Sequence, residues 1–439
     1  MTSNLPASAQ PAQPAGGQAA PARPPRLERR PGPCPAPAPR SGPPTRPGPP
    51  TRPGPPTRPG PSPLTGGGTQ LASSGSDQPR RLAEGPLDAR VPQLPVRIGS
   101  PAALLAVIPG LLGFEPGDSI VVVGSDPPSA QVRLTLRYDV PDPGRPQDAA
   151  AVAGHAVSVL AAQGVTSAVA VGYGSEAAVS PVAAALREKA AAAEITVTEL
   201  LRVADQRYWS FVCEDPDCCP AAGTPFDVAG HPAARAIEAA GGQVLSGRDD
   251  LAATVAAAGG QTGAAMQRAT RKAHAHVGRT AARLDRAGLP VSLARLTAAL
   301  GQLAVQDAIS RARDGDLAGT EIAAWLTVAL RQVRVRDDAW ARMDFQHRAA
   351  HLRLWAHLTR LARPGYAAAP AALLAFVAWQ SGDGALANVA LDRALADNPR
   401  YSMAKLLRQA LDSGAPPSMA RLPMTPEEVA AAYDAAEAR

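Results

Sequence analysis

The chain is 439 residues long, enough for two or three domains, and carries a formal charge of +6. That charge is uneven: residues 1–94 hold 11 Arg against 4 acids, so the rest of the chain is near −1 and the pI of 9.4 belongs to the first segment. A near-neutral body argues against a dedicated nucleic-acid-binding domain, which would present a basic face. No run reaches the ~18–20 apolar residues needed to span a bilayer.

Residues 1–94 read as a disordered Pro/Arg-rich tail. Twenty-two of the 47 prolines lie in residues 1–63, and the first aromatic residue of the chain is Phe114. Such a segment has too little apolar surface to offset the entropy of ordering it. Residues 42–59 repeat the hexamer GPPTRP three times. Glycine recurs every sixth residue, which excludes a collagen triple helix and suggests polyproline II. The tail is expected to act as a solubilising tether, or to touch nucleic acid or an acidic partner weakly and in a salt-dependent way. Its start lacks the apolar core of a secretory leader, so a cytoplasmic location and reduced cysteines are expected.

Residues 95–230 read as an α/β domain with a mixed sheet and flanking helices. Ser100-Pro101 caps a helix over about 101–108, which Pro109-Gly110 should interrupt. SIVVVG (119–124) is a continuous apolar run, as in a strand buried on both faces. QVRLTLRYDV (131–140) alternates with period two and should pair with it as a hairpin. A helix follows over 147–163, then a buried strand over 166–174. Pro181 should open a helix ending near 193. ITVTELLRV (195–203) and RYWSFVC (207–213) should form a second hairpin across Ala204-Asp205-Gln206.

From about 231 the strand patterns stop, and residues 231–439 read as a helical domain. Helices are expected at 231–240, 249–258, 262–286, 291–313, 319–332, 337–363, 371–381, 384–396, 400–412 and 425–437. About residues 370–412 have a tetratricopeptide-like rhythm: Ala378, Ala387 and Ala394 are small, Gly382-Asp383 is a turn, and Asn398-Pro399 precedes the next helix. A single such helix pair cannot bury its own face, so it must pack on earlier helices or accept a protein partner.

PGLLGFEPGDSIVVV (109–123), LRVADQRYWSFVCEDPDCCPAAGTP (201–225), VRDDAW (335–340), HLRLW (351–355), ALLAFVAWQSGDGALANVALDRAL (372–395) and YSMAKLL (401–407) together resemble an actinobacterial family, domain-of-unknown-function family 4192. The resemblance spans roughly residues 95–415. It implies a family and supplies no activity, cofactor or substrate.

Four groups of residues are candidate sites. Cys213, Cys218 and Cys219 could give thiolates to a metal such as zinc, with His231 or Asp217 completing four ligands. The plain alternative is a strand end followed by an acidic turn. Glu214, Asp215 and Asp217 would raise a thiol pKa and so disfavour nucleophilic use. In GYGSEAAVSP (172–181), Gly172, Gly174 and Ser175 could turn backbone N–H groups toward a nucleotide or phosphate. The alternative is a strand–helix connection capped by Ser180-Pro181. Asp118 and Ser119 are candidate catalytic residues at a strand edge, although no GxSxG elbow is present. His155 is the nearest histidine, and its Ala/Val-rich helix makes it a core or boundary residue. His347 and His351 have the spacing of a zinc pair, but Arg348 stands where a hydrolase would need glutamate.

Two functions follow as expectations. The first is a non-catalytic cytoplasmic interaction or scaffold protein, with a protein partner on the helical half. The second is a hydrolase or transferase acting on a small or phosphorylated ligand at the strand ends of the α/β domain.

Overall fold

The computed structural model describes residues 100–126, 131–240, 242–288, 292–420 and 424–437. The tail expected over residues 1–94 lies outside these described residues. Within them the chain forms a six-stranded mixed sheet with flanking helices, followed by a helical half.

The first helix, α1 (Pro101–Leu112), starts at Ser100, whose Oγ accepts from Ala103 N at 3.2 Å. Pro109 does not interrupt it. The proline removes one helical donor, yet the helix continues to Leu112 and ends at Gly113 in the left-handed region. Leu104, Leu105 and Ile108 are fully buried around this stretch, and that packing outweighs the lost hydrogen bond.

β1 (Ser119–Asp126) is antiparallel to β2 (Gln131–Asp139) on one side and to β3 (Ser167–Tyr173) on the other. α2 (Pro146–Ala162) follows β2. β3 connects through α3 (Glu176–Ala192) to β4 (Thr196–Ala204), which lies parallel to β3. β5 (Arg207–Ser210) and the short β6 (Thr224–Pro225) complete the order β2-β1-β3-β4-β5-β6. α3 begins at Glu176, five residues before Pro181, which sits inside it. β5 stops at Ser210, short of Cys213.

The apolar run of β1 is buried on both faces. Ile120 and Val122 join Ala168 and Ala170 of β3 beneath α2 and α3. Val121 and Val123 face the opposite way, into a cluster shared with α1, Val171, Leu201 and the helical half. The apolar core therefore does not divide near residue 230, where the secondary structure changes.

The helical half comprises α4 (Pro232–Ala239), α5 (Arg248–Ala253), α6 (Gly260–Arg286), α7 (Leu293–Arg313), α8 (Thr320–Ala329), α9 (Val333–Ala341), α10 (Arg348–Leu361), α11 (Ala368–Gln380), α12 (Gly384–Asp397), α13 (Ser402–Asp412) and α14 (Pro426–Glu437). The single helix expected over 337–363 is two helices, α9 and α10. Asp344 separates them: its Oδ1 accepts from His347 N at 2.8 Å, so the side chain competes with the helical ladder and starts a new helix.

α11 and α12 form the expected helical hairpin. Asp383 caps α12 by accepting from Leu386 N at 2.8 Å. At the other end, Asp397 accepts from Gly365 N, Ala367 N and Ala368 N, which ties α12 to the start of α11. α11 is buried on almost every side, so the hairpin packs on its neighbours and does not stand as an open pair. Among the described residues no helix is long and apolar enough to cross a membrane.

Candidate functional site

The strand-end candidates do meet in space. Ser119 pairs with Tyr173 across β1 and β3, and Gly172 with Ile120. A Cβ on Gly174 would lie 3.8 Å from Asp118 Oδ1. Asp118 is exposed, with a positive φ of 39°, whereas Ser119, Gly172 and Gly174 are taken up by contacts of the fold. Ser119 is 0% exposed. Its Oγ donates to Gly117 O at 2.5 Å and accepts from Arg137 Nε at 2.9 Å. A buried hydroxyl held this way is not presented as a nucleophile. Gly172 is small because a Cβ there would fall 2.3 Å from Val179 Cγ1. It lets α3 lie close on the sheet. The Gly174 N–H is occupied, since it donates to Val203 O at 3.0 Å. Ser175 stands exposed at the start of α3 without a side-chain cap bond. A cleft of about 400 Å³ lies elsewhere, lined by Leu395, Pro399, Lys405, Arg408, Gln409 and Asp412 of the α12–α13 region, and no strand-end candidate touches it.

The cysteine loop is the one place among the described residues where three ligand atoms all lie close enough to one another to hold a metal ion. The Sγ atoms of Cys213, Cys218 and Cys219 all lie within 4.8 Å of one another, and none is in a disulfide. Cys213 N donates to Ser210 Oγ at 3.1 Å, and Ser210 Oγ donates to Glu199 Oε1 at 2.9 Å. The acidic turn then folds back: Asp215 O accepts from Cys218 N and Cys219 N, at 3.2 and 2.7 Å. Trp209 and Arg207 clamp the far side. Trp209 Nε1 donates to Ala221 O, and Arg207 donates to Ala222 O and Gly223 O. Gly223 has φ +76°, and a Cβ there would overlap the Trp209 ring. Arg202 lies over the Trp209 ring, 3.7 Å from its centroid. His231 is not part of the sulfur cluster. Its Nδ1 accepts from Ala233 N as the cap of α4, which takes it away from the role of fourth ligand. Asp217 is likewise outside the cluster, and its N–H donates to Asp215 Oδ1.

His347 and His351 do not form a metal pair. Both turn to Asp344. His347 Nδ1 lies 2.8 Å from Asp344 Oδ1, and His351 Nε2 accepts from Asp344 N at 3.4 Å. Arg313 reaches the same carboxylate at 2.7 Å. Partial burial raises the Asp344 pKa, but hydrogen bonds from His347 and the nearby charges outweigh it and hold the carboxyl below its usual range. His351 is 1% exposed, and burial lowers its pKa to about 4. His155 is exposed on α2, neither core nor boundary as expected, and hydrogen-bonds the Tyr138 hydroxyl at 2.8 Å.

One surface was not read from the sequence. α6 carries Arg268, Arg271, Lys272, Arg279, Arg283 and Arg286 against the single acid Asp285, and all six cations are exposed. At 3.6 residues per turn, Arg268, Lys272, Arg279, Arg283 and Arg286 fall within an arc of about 60° along about 27 Å of helix. Lys272 pairs with Glu321 at 3.3 Å. Among the described residues no acid pairs with Arg268, Arg271, Arg279 or Arg283. The near-zero charge of the body therefore hides a segregated basic face. Its signal was the helical spacing of the cations, which a net charge averages away. On the neighbouring α7, Leu300 and Leu303 are 43% and 61% exposed. None of the five tryptophans is exposed, and Trp325, Trp340, Trp355 and Trp379 pack in or against the apolar core.

No curated protein matches the chain, and no solved structure does. The model of a family described as a domain of unknown function, DUF4192, matches residues 101–418. That span includes the sheet, the cysteine loop, the basic face of α6 and the α11–α12 hairpin, and it is well over half of the chain, so this protein belongs to the DUF4192 family.

Proposed function

We propose that this protein is a non-catalytic cytoplasmic interaction protein, and that the helical half docks an acidic protein surface along α6. The observation that carries the reading is the row of exposed cations from Arg268 to Arg286 on one face of a 27-residue helix. Five of the six, all but Lys272, have no acidic partner among the described residues, so their charge is available to a partner. Aligned charge of this kind raises encounter rates and sets orientation. Leu300 and Leu303 on α7 favour a protein over a nucleic acid, because protein interfaces mix apolar side chains with arginine. The strand-end residues support catalysis less well, since Ser119 is buried and Gly172 is taken up by packing.

The test uses the full chain and a fluorescent polyglutamate peptide, with a single-stranded oligonucleotide of equal charge as competitor. The wild type should bind the peptide in a salt-dependent way. The triple variant Arg279→Glu, Arg283→Glu, Arg286→Glu should weaken it by more than about tenfold. Equal binding by the variant overturns the reading. So does a clear preference for the oligonucleotide, or binding that disappears when residues 1–94 are deleted.

A further inference from the structure

We propose that Cys213, Cys218 and Cys219 hold one zinc-class cation through three thiolates, with the fourth position left to water or a small ligand. The sulfurs already lie within 4.8 Å of one another. In a tetrahedral site with zinc–sulfur bonds of about 2.3 Å, sulfurs stand about 3.8 Å apart. Side-chain rotations that move each sulfur by less than about an ångström close the remaining gap. The spacing departs from the usual CxxC pair, and the backbone explains why it still works. Asp215 O takes both the Cys218 and Cys219 N–H groups, so the chain folds tightly over Asp215. That turn sets two neighbouring sulfurs against Cys213.

Burial adds little order to the loop itself: from Val212 to Ala222 no residue is buried. Its fixed points are polar: Ser210 at one end, Trp209 and Arg207 at the other. A bound cation would supply the missing tie, since metal binding free energy becomes folding free energy in small loop sites. The acidic neighbours Glu214, Asp215 and Asp217 fit this chemistry as well. Their negative charge favours the approach of a dication to the three sulfurs.

The experiment uses the full chain, purified with reductant, stripped of metal and reloaded with Zn²⁺. Metal per chain is then counted after gel filtration. The wild type should retain one equivalent. Cys213→Ser, Cys218→Ser and Cys219→Ser should each retain less than about a fifth of that, while His231→Ala and Cys34→Ser retain it in full. Fewer than about half an equivalent on the wild type, or retention that follows Cys34 or His231, overturns the assignment. If a serine variant fails to fold, iodoacetamide labelling of the wild type decides the matter. Zn²⁺ should slow alkylation of all three loop thiols by more than about tenfold. Unchanged alkylation, or a Cys218–Cys219 disulfide that persists in reductant, overturns the proposal.

Discussion

At the residue scale, Ser119 carries buried hydrogen bonds and Gly172 a close contact between α3 and the sheet. Ser119→Ala removes the acceptor of Arg137 Nε in a fully buried place, and should lower stability by about 1–2 kcal/mol in urea unfolding. Gly172→Ala puts a methyl 2.3 Å from Val179 Cγ1 and should destabilise by about 1–3 kcal/mol. Adding Val179→Ala should recover part of that loss, a coupling that a ligand-binding role for Gly172 would not produce. His351 makes stability depend on pH. Its folded pKa of about 4 lies below its ordinary value of 6.5, so between these values the unfolded chain binds the extra proton. The contribution is present above pH 6.5 and is lost as pH falls toward 4. Asp344 opposes the shift, whereas burial, Arg313 and His347 produce it. The slope approaches about 1.4 kcal/mol per pH unit, and His351→Gln should flatten that limb of the stability curve.

At the element scale, two carboxylates hold the α11–α12 hairpin. Asp397 accepts three backbone N–H groups at the start of α11, and Asp397→Ala leaves them without it. The loss should be about 1.5–3 kcal/mol by thermal or urea melting, and Asp397→Asn, which keeps an acceptor, should lose less. Asp383→Ala removes the cap of α12 and should cost about 1–2 kcal/mol. The elements most clearly written in the sequence were those with strong periodicity: β1, β2, β3, β4 and the helices from α11 onward. Boundaries set by proline or by a polar side chain were misread. Pro109 and Pro181 sit inside α1 and α3, because packed helices tolerate one missing donor. Asp344 splits α9 from α10 through a hydrogen bond that composition does not announce.

At the scale of the whole molecule, the sheet is covered on both faces. One face lies under α2 and α3, and the other faces a cluster that runs from α1 through the helical half to α13. Cutting the chain at residue 230 would expose Val121, Val123, Val171 and Leu201 together. A fragment of residues 95–230 should therefore bind a hydrophobic dye and lack near-ultraviolet circular dichroism, while the full chain unfolds in one transition. A native-like, monomeric fragment would show that the two halves are independent domains.

The sequence by itself determined the family, the order of α/β and helical parts, and the two-sided burial of β1. Those follow from local periodicity and from motifs that are contiguous in the chain. Only the tertiary structure decided which candidates could act. Ser119 and Gly172 look alike in sequence whether they face a ligand or a neighbouring helix, and burial alone separates the two. The three cysteines likewise became a cluster through the fold of the Asp215 turn, not through their spacing. The basic face of α6 needed both kinds of information. Its cations are visible in the sequence, but their alignment on a solvent-facing arc depends on which side of the helix the core takes.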